Sequence, residues 1–129
     1  MPVIGSGIIG DSNTFNLKQI DLSEVRKEVF DFLVEDEDLI QAFETIRDQV
    51  IFTAKRILVI NVQGITGKKK SYISYPYSKV QYFGIETAGV LDIDSELMLA
   101  FNDGSKLSFD FKSNVDITKI SKCIAQFVL

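Results

Sequence analysis

Residues 96–111 read ELMLAFNDGSKLSFDF, two short runs on either side of Asn102-Asp103-Gly104. Leu97, Leu99 and Phe101 alternate with polar or smaller residues, and so do Leu107, Phe109 and Phe111. That two-residue period marks β-strands with one buried face. Residues directly paired across an antiparallel ladder share a face, which decides the register. A two-residue Asp103-Gly104 turn would set Leu97 and Leu99 against Asp110 and Ser108. A three-residue loop, Asn102-Asp103-Gly104, pairs Leu99 with Leu107 and Leu97 with Phe109. It also puts Gly104 where such a loop requires a left-handed residue. The three-residue loop is therefore expected.

Upstream, the same strand chemistry continues. Seven candidates run at about 39–46, 49–53, 56–62, 70–75, 79–86, 96–101 and 106–111. Turn signals separate them, at Gln63-Gly64-Ile65-Thr66-Gly67, Tyr75-Pro76, Ala88-Gly89 and the loop above. No helical pattern long enough for a crossover intervenes, so the sheet is expected to be antiparallel. Residues 115–128 carry Ile117, Ile120, Ile124, Phe127 and Val128 on one helical stripe, with Asn114 or Asp116 as the cap. This helix is expected to cover an open end or face of the curled sheet. A second, N-terminal helix is expected over 21–34. Asp21 and Glu24 form a capping-box-like start there, and Leu22, Val25, Val29, Phe32 and Leu33 recur at helical spacing. The acidic run Glu35-Asp36-Glu37-Asp38 reads as a solvated connection. Residues 1–18 are Gly-rich, yet Val3, Ile4, Ile8 and Ile9 make them stickier than a free tail. They are assigned as an arm that packs on a neighbouring subunit or on the domain, with 19–129 as one domain.

A chain of 129 residues, 46% hydrophobic and 25% charged, suits a single globular domain. Histidine is absent, which removes the usual general base, the commonest zinc ligand and the partner of a nucleophilic Ser or Cys. No enzyme activity, metal or cofactor is expected. Asp92, Asp94 and Glu96 alternate like the start of a calcium loop, but Leu97 stands where that loop needs Gly. Gly64-Ile65-Thr66-Gly67-Lys68 has two residues between its glycines and leads into a strand, so it is a hairpin loop and not a phosphate loop. The lone Cys123 cannot form an internal disulfide and fits a reducing compartment. No leader is recognisable, and an apolar run such as Ile57–Ile60 is far too short to span a bilayer, so a cytoplasmic location is expected. A formal charge of −4 argues against nucleic acid as a partner, although Tyr72, Tyr75, Tyr77 and Tyr82 lie among lysines.

Five ordered segments carry a resemblance. They are Phe52-Thr53-Ala54-Lys55-Arg56-Ile57-Leu58, Gln63 to Lys69, Ile73 to Val80, Glu86-Thr87-Ala88-Gly89 and Asp92 to Leu97. Over about 37–127 the chain resembles the bacterial pleckstrin homology (PH)-like domain family. The resemblance implies a mainly β fold: a seven-stranded antiparallel two-sheet barrel with a C-terminal capping helix. It also implies ring-shaped homo-oligomers and no catalytic residues.

Charge is segregated along the chain. Residues 49–85 hold Lys55, Arg56, Lys68, Lys69, Lys70 and Lys79 with no Asp or Glu, whereas 21–48 carry ten acids against three bases. Opposite-sign strips suit a head-to-tail contact between copies, which closes into a ring where the rotation allows. The expected function is thus a non-catalytic assembly module whose main partner is itself. The alternative is peripheral binding of an anionic lipid headgroup, membrane surface or phosphorylated ligand, with Lys68, Lys69, Lys70, Lys55 and Arg56 as candidates. Another protein as partner fits the same surface.

Overall fold

The computed structural model describes residues 14–87, 94–112 and 115–129. Eight strands follow in chain order: β1 (Thr14–Ile20), β2 (Leu39–Glu44), β3 (Gln49–Thr53), β4 (Arg56–Gln63), β5 (Lys69–Pro76), β6 (Val80–Thr87), β7 (Ser95–Phe101) and β8 (Lys106–Phe111). One helix, α1 (Ile117–Val128), closes the chain. The strands form a single open sheet in the order β5-β4-β3-β2-β1-β8-β7-β6. This corrects the expected seven strands in two sheets closed as a barrel. It also corrects the all-antiparallel expectation at one place, because β1 runs parallel to β8, with Leu17 opposite Phe111. The parallel pair needs no crossover helix of its own, since the rest of the sheet is the connection between its two strands.

The β7–β8 hairpin adopts the three-residue loop. Leu99 pairs with Leu107 and Leu97 with Phe109, and Gly104 sits at φ 90°. The period-two pattern therefore reaches the core as expected: Leu97, Leu99, Leu107, Phe109 and Phe111 are all buried.

β3 and β4 are different, because both of their faces are covered. Val50, Phe52, Ile57 and Val59 face the main core, and Ile51, Leu58 and Ile60 face a second one. That is why Ile57-Leu58-Val59-Ile60 is an unbroken apolar run and not an alternating one. The second core is roofed by residues 22–33. The helix expected there is instead a 3-10 turn at Leu22–Glu24 and another at Lys27–Asp31. The capping box at Asp21 and Glu24 does form, but Val25 is extended. Gln49 of β3 explains the break. Its side-chain amide donates to the Glu24 carbonyl, and its side-chain oxygen accepts from the Arg26 amide, both backbone groups that a continuing helix would use. Val25 and Val29 still reach the second core. At about 2 kcal/mol for each buried aliphatic side chain, they hold the segment down without a helix.

Helix α1 is capped by Asp116, whose carboxylate accepts from the Lys119 amide. Ile120 and Ile124 are fully buried in the main core, and the Phe127 ring lies 5.8 Å from that of Tyr77. It packs over β2, β6 and the 3-10 turn Tyr77–Lys79. Among the described residues no helix is long and apolar enough to cross a membrane.

Candidate functional site

The five cations expected to serve an anion separate into two groups at opposite ends of β4 and β5. In that ladder Arg56 pairs with Pro76 at one end and Gln63 with Lys69 at the other. Eight residues at about 3.3 Å each put the groups over 20 Å apart. At the first end Arg56 is engaged within the fold. Its guanidinium donates to both Glu37 oxygens at 2.7 Å, to the Ser74 hydroxyl and to the Phe32 carbonyl. Lys55, on the turn beside it, is exposed.

Glu37 is the partner that the acidic run conceals. A turn from Val34 to Glu37, with Asp36 in the left-handed region at φ 64°, swings this one carboxylate inward. Its side chain has no exposure, and it also accepts from the Thr53 hydroxyl and the Val34 amide. Burial alone would raise its pKa. The hydrogen bonds from Arg56, Thr53 and Val34, with the Arg56 charge, overrule burial and hold it at about 2.

At the other end Lys68 and Lys69 are exposed, while Lys70 leans on Glu28 at 3.9 Å. Glu28 also accepts from the Tyr72 hydroxyl. A fourth cation, Arg47, joins this end from the β2–β3 turn, because its guanidinium donates to the Gly64 carbonyl of the β4–β5 loop. Asp48 ties the β2–β3 turn to the end of β4. This buried carboxylate accepts from the Val62 amide and from the Asn61 side chain. Desolvation pushes its pKa up against those hydrogen bonds.

Acids collect on the opposite half of the sheet. Glu86, Glu96 and Asp110 stand side by side across β6, β7 and β8. Hydrogen bonding with Asp110, partial burial and like charge raise the Glu96 pKa. The register expected for the β7–β8 hairpin already implies the Glu96–Asp110 pair. Along the chain Glu96 instead falls in line with Asp92 and Asp94, which hides that pair. Asp92 lies outside the described residues, as do Val3, Ile4, Ile8 and Ile9 of the arm and the possible cap Asn114. Cys123 is half-buried, its thiol donates to the Thr53 carbonyl, and burial pushes its pKa up, the opposite of the shift that activates a thiol.

The two outer strands, β5 and β6, are eight residues each, and neither pairs with a further strand among the described residues. Each is flanked by exposed apolar side chains. Phe30, Phe32 and Val34 lie on the 21–34 segment, where Phe32 stacks on Tyr72 of β5 at 4.5 Å, and Tyr82 and Ile85 lie on β6 itself.

A family model described as the bacterial PH domain matches residues 8–128. An uncharacterised Bacillus subtilis protein, YjqA, is 37% identical over 92% of this chain and 93% of its own length. The crystal structure of a DUF1696 family protein with a pleckstrin-homology domain from Shewanella loihica is similar at TM-score 0.72. It is 39% identical and matches over 88% of this chain and 98% of that one. A pleckstrin homology domain from Shewanella amazonensis aligns at TM-score 0.60 and 39% identity, over 85% of this chain and 90% of that one.

Proposed function

Because this chain belongs to the bacterial PH domain family, we propose that it is a non-catalytic assembly module that joins copies of itself edge to edge. The observation that carries the reading is the pair of long open edges. Natural sheets shorten, bulge or cover an edge strand to prevent pairing with another chain. This one ends in eight-residue strands on both sides, and the register break in β6, between Val80 and Tyr82, lies at its start, away from Phe83 to Glu86.

The edges also match each other. β5 holds Lys69 and Lys70 with no acid, and β6 ends in Glu86 with Glu96 and Asp110 behind it. An antiparallel approach of β5 to β6 of a second copy, with Lys70 opposite Glu86, sets Tyr72 opposite Gly84 and Ile73 opposite Phe83. That register keeps faces consistent. Ile73 and Phe83 both pack toward the main core, while Tyr72 and Lys70 lie on the other face with Glu86. An aromatic side chain over the Gly84 backbone fills the gap that glycine leaves. Since the two edges differ, the contact is heterologous, and it closes into a ring or runs on as a filament.

Charge reversal tests the register. Lys70→Glu and Glu86→Lys are each expected to weaken self-association roughly tenfold, measured by sedimentation at physiological salt, because each sets like charges opposite one another. The double variant restores the pair and most of the affinity. Singles without effect, or a double no better than either single, would refute the edge register.

A further inference from the structure

Residues 30–38 carry a surface that edge pairing does not use. Val29 and Leu33 turn into the second core. The apolar residues around them turn out instead, with Phe30 56% exposed, Phe32 39% and Val34 57%. Isolated apolar side chains are ordinary on a surface, but a close group of them rimmed by charge marks a place of contact. The backbone beneath is held. The Arg56 guanidinium donates to the Phe32 carbonyl, the Phe32 ring stacks on Tyr72, and the Glu37 carboxylate accepts from the Val34 amide. A surface already fixed in this way loses little freedom when a partner lands on it.

The rim is of one sign. Asp31, Glu35, Asp36 and Asp38 are exposed, and among the described residues none of them forms an ion pair or a side-chain hydrogen bond. No Lys or Arg occurs from 28 to 38. The neighbouring acids are engaged inside the fold, Glu37 by Arg56 and Glu28 by Lys70 and Tyr72. Uncompensated carboxylates repel an anionic membrane and a nucleic acid alike, and they attract Lys and Arg. An apolar surface inside such a rim matches a protein segment that interleaves cationic with apolar side chains, as a basic amphipathic helix does. We infer that residues 30–38 dock a basic amphipathic segment of another protein. Phe30, Phe32 and Val34 take its apolar side chains, and Asp31, Glu35, Asp36 and Asp38 take its lysines and arginines. The inference stands without self-association.

A helical peptide of Leu and Lys, with leucine along one face, is the probe, labelled at one end and followed by fluorescence anisotropy at physiological salt. The protein is expected to bind it, and not to bind the same peptide with Glu in place of Lys. Phe30→Ser combined with Val34→Ser should weaken binding roughly tenfold, and so should Glu35→Lys combined with Asp38→Lys, because each pair removes one half of the match. Phe30 and Val34 stand mostly in solvent, so the serine pair leaves the thermal midpoint in place. No binding of the Leu–Lys peptide would overturn the inference. So would a serine pair that binds like wild type, which would leave charge alone as the attraction. A serine pair that weakens self-association in sedimentation as much as it weakens peptide binding would assign the patch to a contact between copies, and would equally overturn it.

Discussion

Replacing Glu37 by Ala is expected to lower the unfolding free energy by about 3 kcal/mol at neutral pH. The removed carboxylate leaves the Arg56 guanidinium, only 18% exposed, with Ser74 and the Phe32 carbonyl as its remaining acceptors. It also removes the nearer acceptor of the Thr53 hydroxyl, around which the β3–β4 turn is built through the Lys55 and Arg56 amides. For a chain of this size the midpoint falls by roughly 10 °C. Glu37→Gln costs less, since its amide oxygen can still accept from Arg56 or Val34. Acidity separates the variants further. The folded carboxyl titrates near 2 against an ordinary value of 4.5, so its contribution is complete above about pH 4.5 and disappears as pH falls through 2. The difference between wild type and Glu37→Gln, followed by denaturant titration, should therefore shrink over that window. A constant difference from pH 7 to 2 would mean that the ion pair contributes nothing.

The second large effect lies in the main core. Phe52 has no exposure, and its ring meets those of Phe43, Phe109 and Phe111 at 5.7, 5.6 and 6.1 Å. These rings come from β2, β3 and β8, so they join the two halves of the open sheet across β1. Phe52→Ala removes the shared member and leaves a cavity that rigid strands on both sides cannot close. A loss of about 4 kcal/mol is expected, read from chemical denaturation at matched protein concentration because association would add to apparent stability. A loss under about 1 kcal/mol would show that the sheet halves are held by other contacts.

The residues differ in how openly they state their structure. From 39 to 111 the seven strands follow from β-rich runs divided by turn chemistry, and the β7–β8 register follows from period-two burial, all of them local signals. β1 has no such signal. Its parallel partner β8 lies some ninety positions further on, and no turn joins the two strands, so nothing near Thr14–Ile20 announces the pairing. Residues 21–34 mislead because Leu22, Val25, Val29 and Leu33 fit a helix, while two 3-10 turns separated by an extended Val25 bring the same valines to the core. The decision rests with Gln49, twenty-five positions from Glu24. The functional surfaces follow the same division. Lys68 and Lys69 are legible as an exposed basic loop, since a hairpin tip points outward wherever the sheet lies. Arg56 is not, because its partner is one carboxylate turned inward from a run whose composition signals solvent.

Assembly by edge pairing requires β5 and β6 to be paired strands in the working protein, although they are edges in the single chain. Amide hydrogen exchange over a rising protein concentration tests this most directly. The prediction is that β5 and β6 gain protection together as copies of the 14.5 kDa chain associate, while the exchange rates of the turns at 45–48 and 64–68 do not change with concentration. Edge amides that exchange at one rate at every concentration, with a native mass that stays at that of one chain, would contradict it.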